Sequence, residues 1–260
     1  MRKLLLSTLA AVVLAVSAPA GANEGAALDK QKWSWQGAGL YDKAQLKRGW
    51  QVYHDVCSNC HALKRVAYRN LTYLGFSEDD VKAFAAEKSV KDGPNDQGDM
   101  YDRPARPSDR FVSPFANDNA ARAANGGALP PDLSLIVKAR TGGPDYIYSL
   151  LTGFEETPPA DLHGADGKPW VVPEGKFFNK VFPGHNISMP PPVSDDIVTY
   201  TDGTKATKEQ ISKDVTAFLN WTSEPELDER HSLGIKVLGF LAVLTAMLYA
   251  VKRKIWANIH

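Results

Sequence analysis

Apolar residues recur at helical spacing in three stretches of the chain. Between Asp42 and Cys57 the positions Leu46, Trp50, Tyr53 and Cys57 share one face, and Asp42 stands where an N-cap belongs. From Gly126 to Phe154 a Pro-Pro turn precedes a helical pattern of Leu133, Ile136 and Val137 with Arg140 as its polar edge, and a further helix is expected to start near Asp145. Farther on, Ile211, Val215, Phe218 and Leu219 form one face behind a capping box at Thr207 to Gln210. This last helix is expected to pack against the first. No stretch alternates convincingly with the two-residue period of a strand, so the pattern predicts a mainly α domain with much of its chain in loops.

Two continuous apolar runs have a different meaning. Residues 4 to 16 follow Arg2 and Lys3 and lead into small residues ending at Ala20 and Ala22, the order of a secretory signal peptide. Leu233 to Val251 make a helix of about 28 Å at about 1.5 Å per residue, long enough to cross a bilayer. Lys252 to Lys254 and Trp256 follow at once, which predicts a cytoplasmic C-terminus. The expected organisation is a signal peptide at 1–22, an exported domain with its linker at 23–230, an anchor helix at 231–252 and a tail at 253–260. The protein is then expected in the cytoplasmic (inner) membrane as a single-pass protein with its domain on the periplasmic side. Residues 223–230, SEPELDER, read as the link between domain and membrane.

The net charge of zero over 260 residues hides an asymmetry, since all thirty acidic residues lie between Glu24 and Glu229 while six of the thirty basic ones lie in the signal or tail. The exported part is left with twenty-four basic residues, a formal charge of −6. An acidic surface argues against nucleic acid and for a cationic partner. About 200 residues suit one domain with a real core.

The candidate chemistry sits in CSNCH, Cys57 to His61, which holds the only two cysteines. A disulfide across so small a loop would add little stability. A structural zinc needs more ligands than this cluster supplies, and a thioredoxin-like pair needs a βαβ setting that the surrounding pattern lacks. CxxCH in an exported chain reads instead as covalent haem attachment through Cys57 and Cys60, with His61 as the proximal iron ligand. For the opposite face Met189, in the proline-stiffened VFPGHNISMPPPV, is the leading candidate, with Met100 and His185 behind it. A thioether opposite histidine raises the potential and leaves no open site for ligand chemistry. An arginine in the Gly126 to Phe154 segment reads by default as a surface residue, with pairing to a haem propionate as the alternative.

Several longer segments carry a resemblance: KRGWQVYHDVCSNCHAL, RVAYRNL, ANGGALPPDLSLIVKARTGGPDYIYSLLTG, FFNKVFPGHNISMPPP, TDGTKAT, and the tail from DVTAFLNWTSEPE through the anchor. In this order they resemble the cytochrome c1 family of the bacterial cytochrome bc1 complex, and they cover most of the exported chain. The resemblance implies a class I cytochrome c-like haem domain with loop insertions, one covalently bound haem c, and His61 and Met189 as axial ligands. It implies Cys57 and Cys60 as thioether positions and Arg140 as the propionate partner. The implied partners are cytochrome b, a Rieske iron-sulfur protein as donor and a soluble c-type cytochrome as acceptor. The implied role is an electron-carrying subunit with no substrate site of its own, the alternative being a tethered cytochrome that serves a terminal oxidase. Some bacterial relatives have a disulfide in this domain. With no spare cysteine, the loop between Phe154 and Asn179 is expected to be held by packing instead.

Overall fold

Asp42 ends an extended N-terminal strap, and its carboxylate accepts hydrogen bonds from the backbone N–H groups of Ala44 (2.9 Å) and Gln45 (3.3 Å). These bonds satisfy donors that a helix start leaves unpaired, and α1 (Lys43–Asp55) begins where the sequence places it. The computed structural model describes residues 27–164 and 166–257. The expected signal peptide at 1–22 lies outside the described residues, as does the end of the expected tail.

α1 crosses α5 (Lys208–Ser223), whose N-cap Thr207 accepts from the Gln210 N–H at 3.2 Å. The two backbones meet at Gly49, where an added Cβ would stand 2.1 Å from the Asp214 carbonyl oxygen and 2.7 Å from the Phe218 Cβ. Trp50 and Tyr53 pack on Phe218 with ring centroids 5.9 and 5.7 Å apart. Beside this seam the Asp214 side chain has 0% exposure, and its carboxylate accepts from Arg48 Nε (2.8 Å), Gln45 Nε2 (3.2 Å) and Gln210 Nε2 (2.8 Å).

α4 (Gly143–Thr152) packs against α5 as well. It starts two residues before the expected Asp145, with Pro144 in its first turn, and Asp145 has another task. Its carboxylate accepts from Gln31 N–H (3.1 Å) and Trp33 Nε1 (2.7 Å), tying the N-terminal strap to the domain. The helical pattern expected at 133–140 becomes only a run of turns with one i→i−4 bond, Ala139 N–H to Leu135 O (3.0 Å). Leu133, Ile136 and Val137 are buried all the same.

The absence of strands is corrected in two places. β1 (Ser89–Asp92) pairs antiparallel with β2 (Tyr101–Pro104), and β3 (Phe177–Phe178) pairs with β4 (Asn186–Ile187). β1 half-buries one face but brings only Val90 as an apolar residue to it, and β3 and β4 are two residues each, so neither ladder gives an apolar alternation in the sequence. Arg103 holds the first, bonding Asp92 on the opposite strand and Asp109 beyond it (2.6 Å). Two shorter helices, α2 (Glu78–Ala86) and α3 (Asp118–Ala124), complete the domain.

α6 (Leu227–Trp256) runs for 30 residues, about 45 Å at about 1.5 Å per residue. Among the described residues it is the one helix long and apolar enough to cross a membrane, and none of its apolar window is buried in the protein. It fits a single-pass anchor. The expected link at 223–230 shrinks to Glu224–Glu226, because α5 runs to Ser223 and α6 has begun by Leu227.

Because Gly49 has no room for a methyl group, Gly49→Ala should force α1 off α5. The expected cost is about 3 kcal/mol, the upper end for overpacking, read as a lower urea midpoint. An unchanged midpoint would mean that the two helices do not need this approach.

Candidate haem site

α1 stops at Asp55, and the chain tightens into a 3₁₀ turn at Cys57–Asn59 that carries the CSNCH segment. Cys60 N–H (3.1 Å) and His61 N–H (2.9 Å) both bond to the Cys57 carbonyl, while Ser58 Oγ donates back to His54 O at 2.7 Å. The turn is therefore fixed to the helix that delivers it. Cys57 is half-buried and Cys60 exposed, and the two thiols are unpaired. Burial, with the neighbouring Cys60, pushes the Cys57 thiol up to about 12, so it stays neutral.

His61 is half-buried, with Nδ1 2.8 Å from the Pro131 carbonyl oxygen. A carbonyl can only accept, so Nδ1 carries the proton and Nε2 keeps its lone pair. Burial acts in the same direction by lowering the basicity of the ring. A second chain segment keeps this contact in register: Leu133 N–H bonds Ala62 O (2.9 Å), Lys64 N–H bonds Asp132 Oδ2 (2.8 Å), and Arg65 N–H bonds Ser134 Oγ (3.1 Å). Tyr53 Oη donates to His61 O at 3.1 Å. The Pro-Pro turn was visible in the sequence. Its role as the acceptor for the histidine was not, because a backbone carbonyl has no residue signature. Cys60 lines an open cleft of about 170 Å³ with Ala62, Pro114, Leu129 and Pro130 among its walls, which leaves its thiol accessible.

The other expected site residues lie apart in the sequence. Met189 is half-buried, two residues beyond β4. Met100 stands in the turn between β1 and β2 with 59% exposure. His185 has a left-handed backbone (φ 57°), its Nδ1 lies 3.3 Å from Asn179 O, and its ring stacks on Phe178 at 5.6 Å. Arg140 is exposed, with one guanidinium N–H on Ala139 O at 3.0 Å.

The loop before Met189 is closed by hydrogen bonds as well as packing. Phe154 and Asn179 form an isolated bridge, and Lys180 N–H bonds Gly153 O at 3.0 Å. The Asn179 side chain, 0% exposed, accepts from Val181 and Phe182 N–H (3.0 Å each) and donates to Leu150 O (2.8 Å). It takes the place that packing alone was expected to fill.

A sequence profile described as the cytochrome C1 family matches residues 33–259. The chain belongs to the cytochrome c1 family. It is 58% identical to a cytochrome c1 of Rhodospirillum rubrum, over 96% of this chain and 95% of that one. It is 43% identical to a mitochondrial cytochrome c1 of Arabidopsis thaliana, over 94% and 78%. A cytochrome b/c1 of Bradyrhizobium diazoefficiens is 48% identical over 93% of this chain and 37% of that protein. As a cytochrome c1 family member the chain carries one covalently bound haem c and functions in electron transfer. Two unpaired thiols beside an imidazole with an unprotonated Nε2 are a donor set that fits this group.

Asn179→Ala would leave two N–H groups and a carbonyl without their partner. The expected cost is about 3 kcal/mol, measurable by chemical denaturation. A loss below about 0.5 kcal/mol, the size of an ordinary surface change, would show that the loop is held by packing after all.

Proposed function

We propose that this chain is the haem-bearing subunit of a cytochrome bc1 complex, anchored by α6 beside cytochrome b. It takes single electrons from a Rieske iron-sulfur protein and passes them to a soluble c-type cytochrome. The observation that carries this reading is the carbonyl-held His61 set directly after two unpaired thiols, on a chain of the cytochrome c1 family. Cys57 and Cys60 are assigned the two thioether bonds, His61 and Met189 the two axial positions, and Arg140 a propionate. The proline-flanked, half-buried setting of Met189 supports it over Met100, which is exposed, and over His185, whose ring is engaged with Asn179 and Phe178. Lys252, Arg253 and Lys254 after the apolar stretch favour a cytoplasmic C-terminus and a periplasmic haem domain. Service to a terminal oxidase is not favoured by the family membership.

A bound haem supplies a one-electron couple whose potential its axial ligands tune. The chain's contribution is to hold those ligands still. Pro131 O fixes the tautomer and ring plane of His61, and Tyr53 Oη fixes the backbone behind it. The loop pinned by Asn179 delivers the segment that leads to Met189.

Met189→His and Met189→Lys should keep the covalent haem but lower its potential markedly, within the range of about 0.8 V that axial ligands span. Met189→Ala should admit carbon monoxide to the ferrous protein. The same changes at Met100 should do neither. Redox titration and carbon monoxide difference spectra read both effects, and a Met100 variant with these properties would reassign the ligand.

The formal charge of −6 on the exported part suits a basic acceptor. Within Ser77 to Asp80, the Asp80 carboxylate caps α2 by accepting from Ser77 N–H (3.0 Å) and Ser77 Oγ (2.7 Å), which leaves Glu78 outward beside Asp79, itself paired with Lys82 (3.1 Å). Glu156 is a further exposed acidic residue, next to Glu155, which is exposed and paired with Lys180 (3.5 Å). Electron transfer to a basic cytochrome should slow as ionic strength rises above about 0.1 M, where the Debye length is about 10 Å. A stopped-flow rate independent of salt would remove the acidic docking surface and leave the haem assignment intact.

A further inference from the structure

Two separate parts of the haem domain grip the first two turns of α6, and the end of α5 braces both of them. From the N-terminal strap, Tyr41 N–H donates to Asp228 Oδ1 (3.1 Å), and Gly39 O lies 2.6 Å from His231 Nδ1. From the 3₁₀ turn at Tyr68–Leu74, Tyr73 Oη donates to Asp228 Oδ2. From the end of α5, Asn220 Nδ2 donates to Tyr41 Oη (2.7 Å) and Trp221 stacks on the Tyr73 ring (5.9 Å, 15°). The joint itself is tied by Glu224, paired with Lys138 (2.6 Å) on one side and with Arg230 of α6 (2.8 Å) on the other. Leu227, the first residue of α6, is 4% exposed and belongs to the core.

A swinging tether needs a stretch of chain with few contacts. Glu224–Glu226 is too short, and directly after it Leu227 sits in the core and Asp228 is bonded to Tyr41. An α-helix is stiff, so holding its first two turns fixes the direction of the whole 30-residue rod. Burial and the nearby carboxylates move the ionisation of the Tyr41 and Tyr73 hydroxyls to higher pH, which keeps both protonated and able to donate.

We propose that this collar joins the haem domain and the anchor into one rigid body, with Asp228 as the positioning residue that sets the tilt of the domain over the membrane surface. Asp228 is the point at which the strap and the 3₁₀ turn both reach α6. A fixed tilt presents the haem edge to its partners in one orientation, where a loose joint would present it in many. The inference rests on α6 crossing a bilayer and is independent of which residues bind the iron.

The test is polarised absorption of the full-length holoprotein in aligned phospholipid multilayers, where the haem bands report the orientation of the domain relative to the membrane normal. The native protein should show strong dichroism. Tyr73→Phe and Asp228→Ala should each lose much of it while the unpolarised spectrum and the potential stay unchanged. The double variant should lose little more than Asp228→Ala, because the two residues share one bond. His231→Ala, which releases Gly39, should also weaken the signal. Weak dichroism in the native protein, or native dichroism in the Asp228→Ala/His231→Ala variant, overturns the proposal. So does a native protein that washes out of the multilayers in detergent-free buffer. If Asp228→Ala does not accumulate, Tyr73→Phe decides the matter, since it removes one oxygen and keeps the stacked ring. If Met189 were not the axial ligand, Met189 variants would keep the native unpolarised spectrum, and these orientations would be untouched.

Discussion

The contact of α1 with the α5 backbone at Gly49 governs the rest of the structure. It brings the axes close enough for Trp50 and Tyr53 to pack on Phe218, and burying each large apolar side chain contributes about 1.5–3 kcal/mol. The Asp214 hydrogen bonds alongside have a different effect. A buried carboxylate with its partners gives little net stability over an apolar replacement, but left unpaired it would cost several kcal/mol. Aromatic burial therefore supplies the stability, while Asp214, reached by Gln45, Arg48 and Gln210, penalises other registers of the two helices. Because α1 runs directly into CSNCH, the position of this crossing also sets the position of the candidate haem motif.

Beyond α1 the site depends on the backbone more than on side chains. His61 is oriented by a carbonyl, its own carbonyl is held by Tyr53, and the 62–65 and 131–134 segments run together through hydrogen bonds to main-chain groups. Such a site tolerates loops as long as each loop base is closed, and Asn179 does this ahead of Met189 with three side-chain bonds. The same economy recurs at the other end of the domain, where the strap and the 3₁₀ turn, braced by the end of α5, converge on the start of α6.

Legibility varied with the kind of signal. The Asp42 cap, the Thr207 box and the apolar faces of α1 and α5 were readable because helix starts need particular side chains and buried faces need a 3.6-residue period. The run at 133–140 shows the limit of that period. Its apolar residues are buried as expected, but the chain meets the core through turns held by Asp132 and Ser134, so burial was legible and helix was not. β1 and β2 gave no apolar alternation because their half-buried face carries Val90, Asp92 and Arg103, and the arginine pairing with Asp92 and Asp109 sets them instead.

By itself the sequence determined the outline and pointed to the chemistry: CSNCH as the candidate haem-attachment motif, a mainly α domain, and one apolar stretch of membrane-spanning length. These are local properties, written in residue type and spacing over fewer than about twenty-five positions. Only the tertiary structure decided that Gly49 is where two backbones touch, that Pro131 orients His61 from 70 residues away, and that SEPELDER is mostly helix held by Tyr41 and Tyr73 rather than a loose tether. Each of these depends on a backbone atom or an acceptor far along the chain, and the identity of a residue does not specify which distant carbonyl or N–H the fold will bring to it.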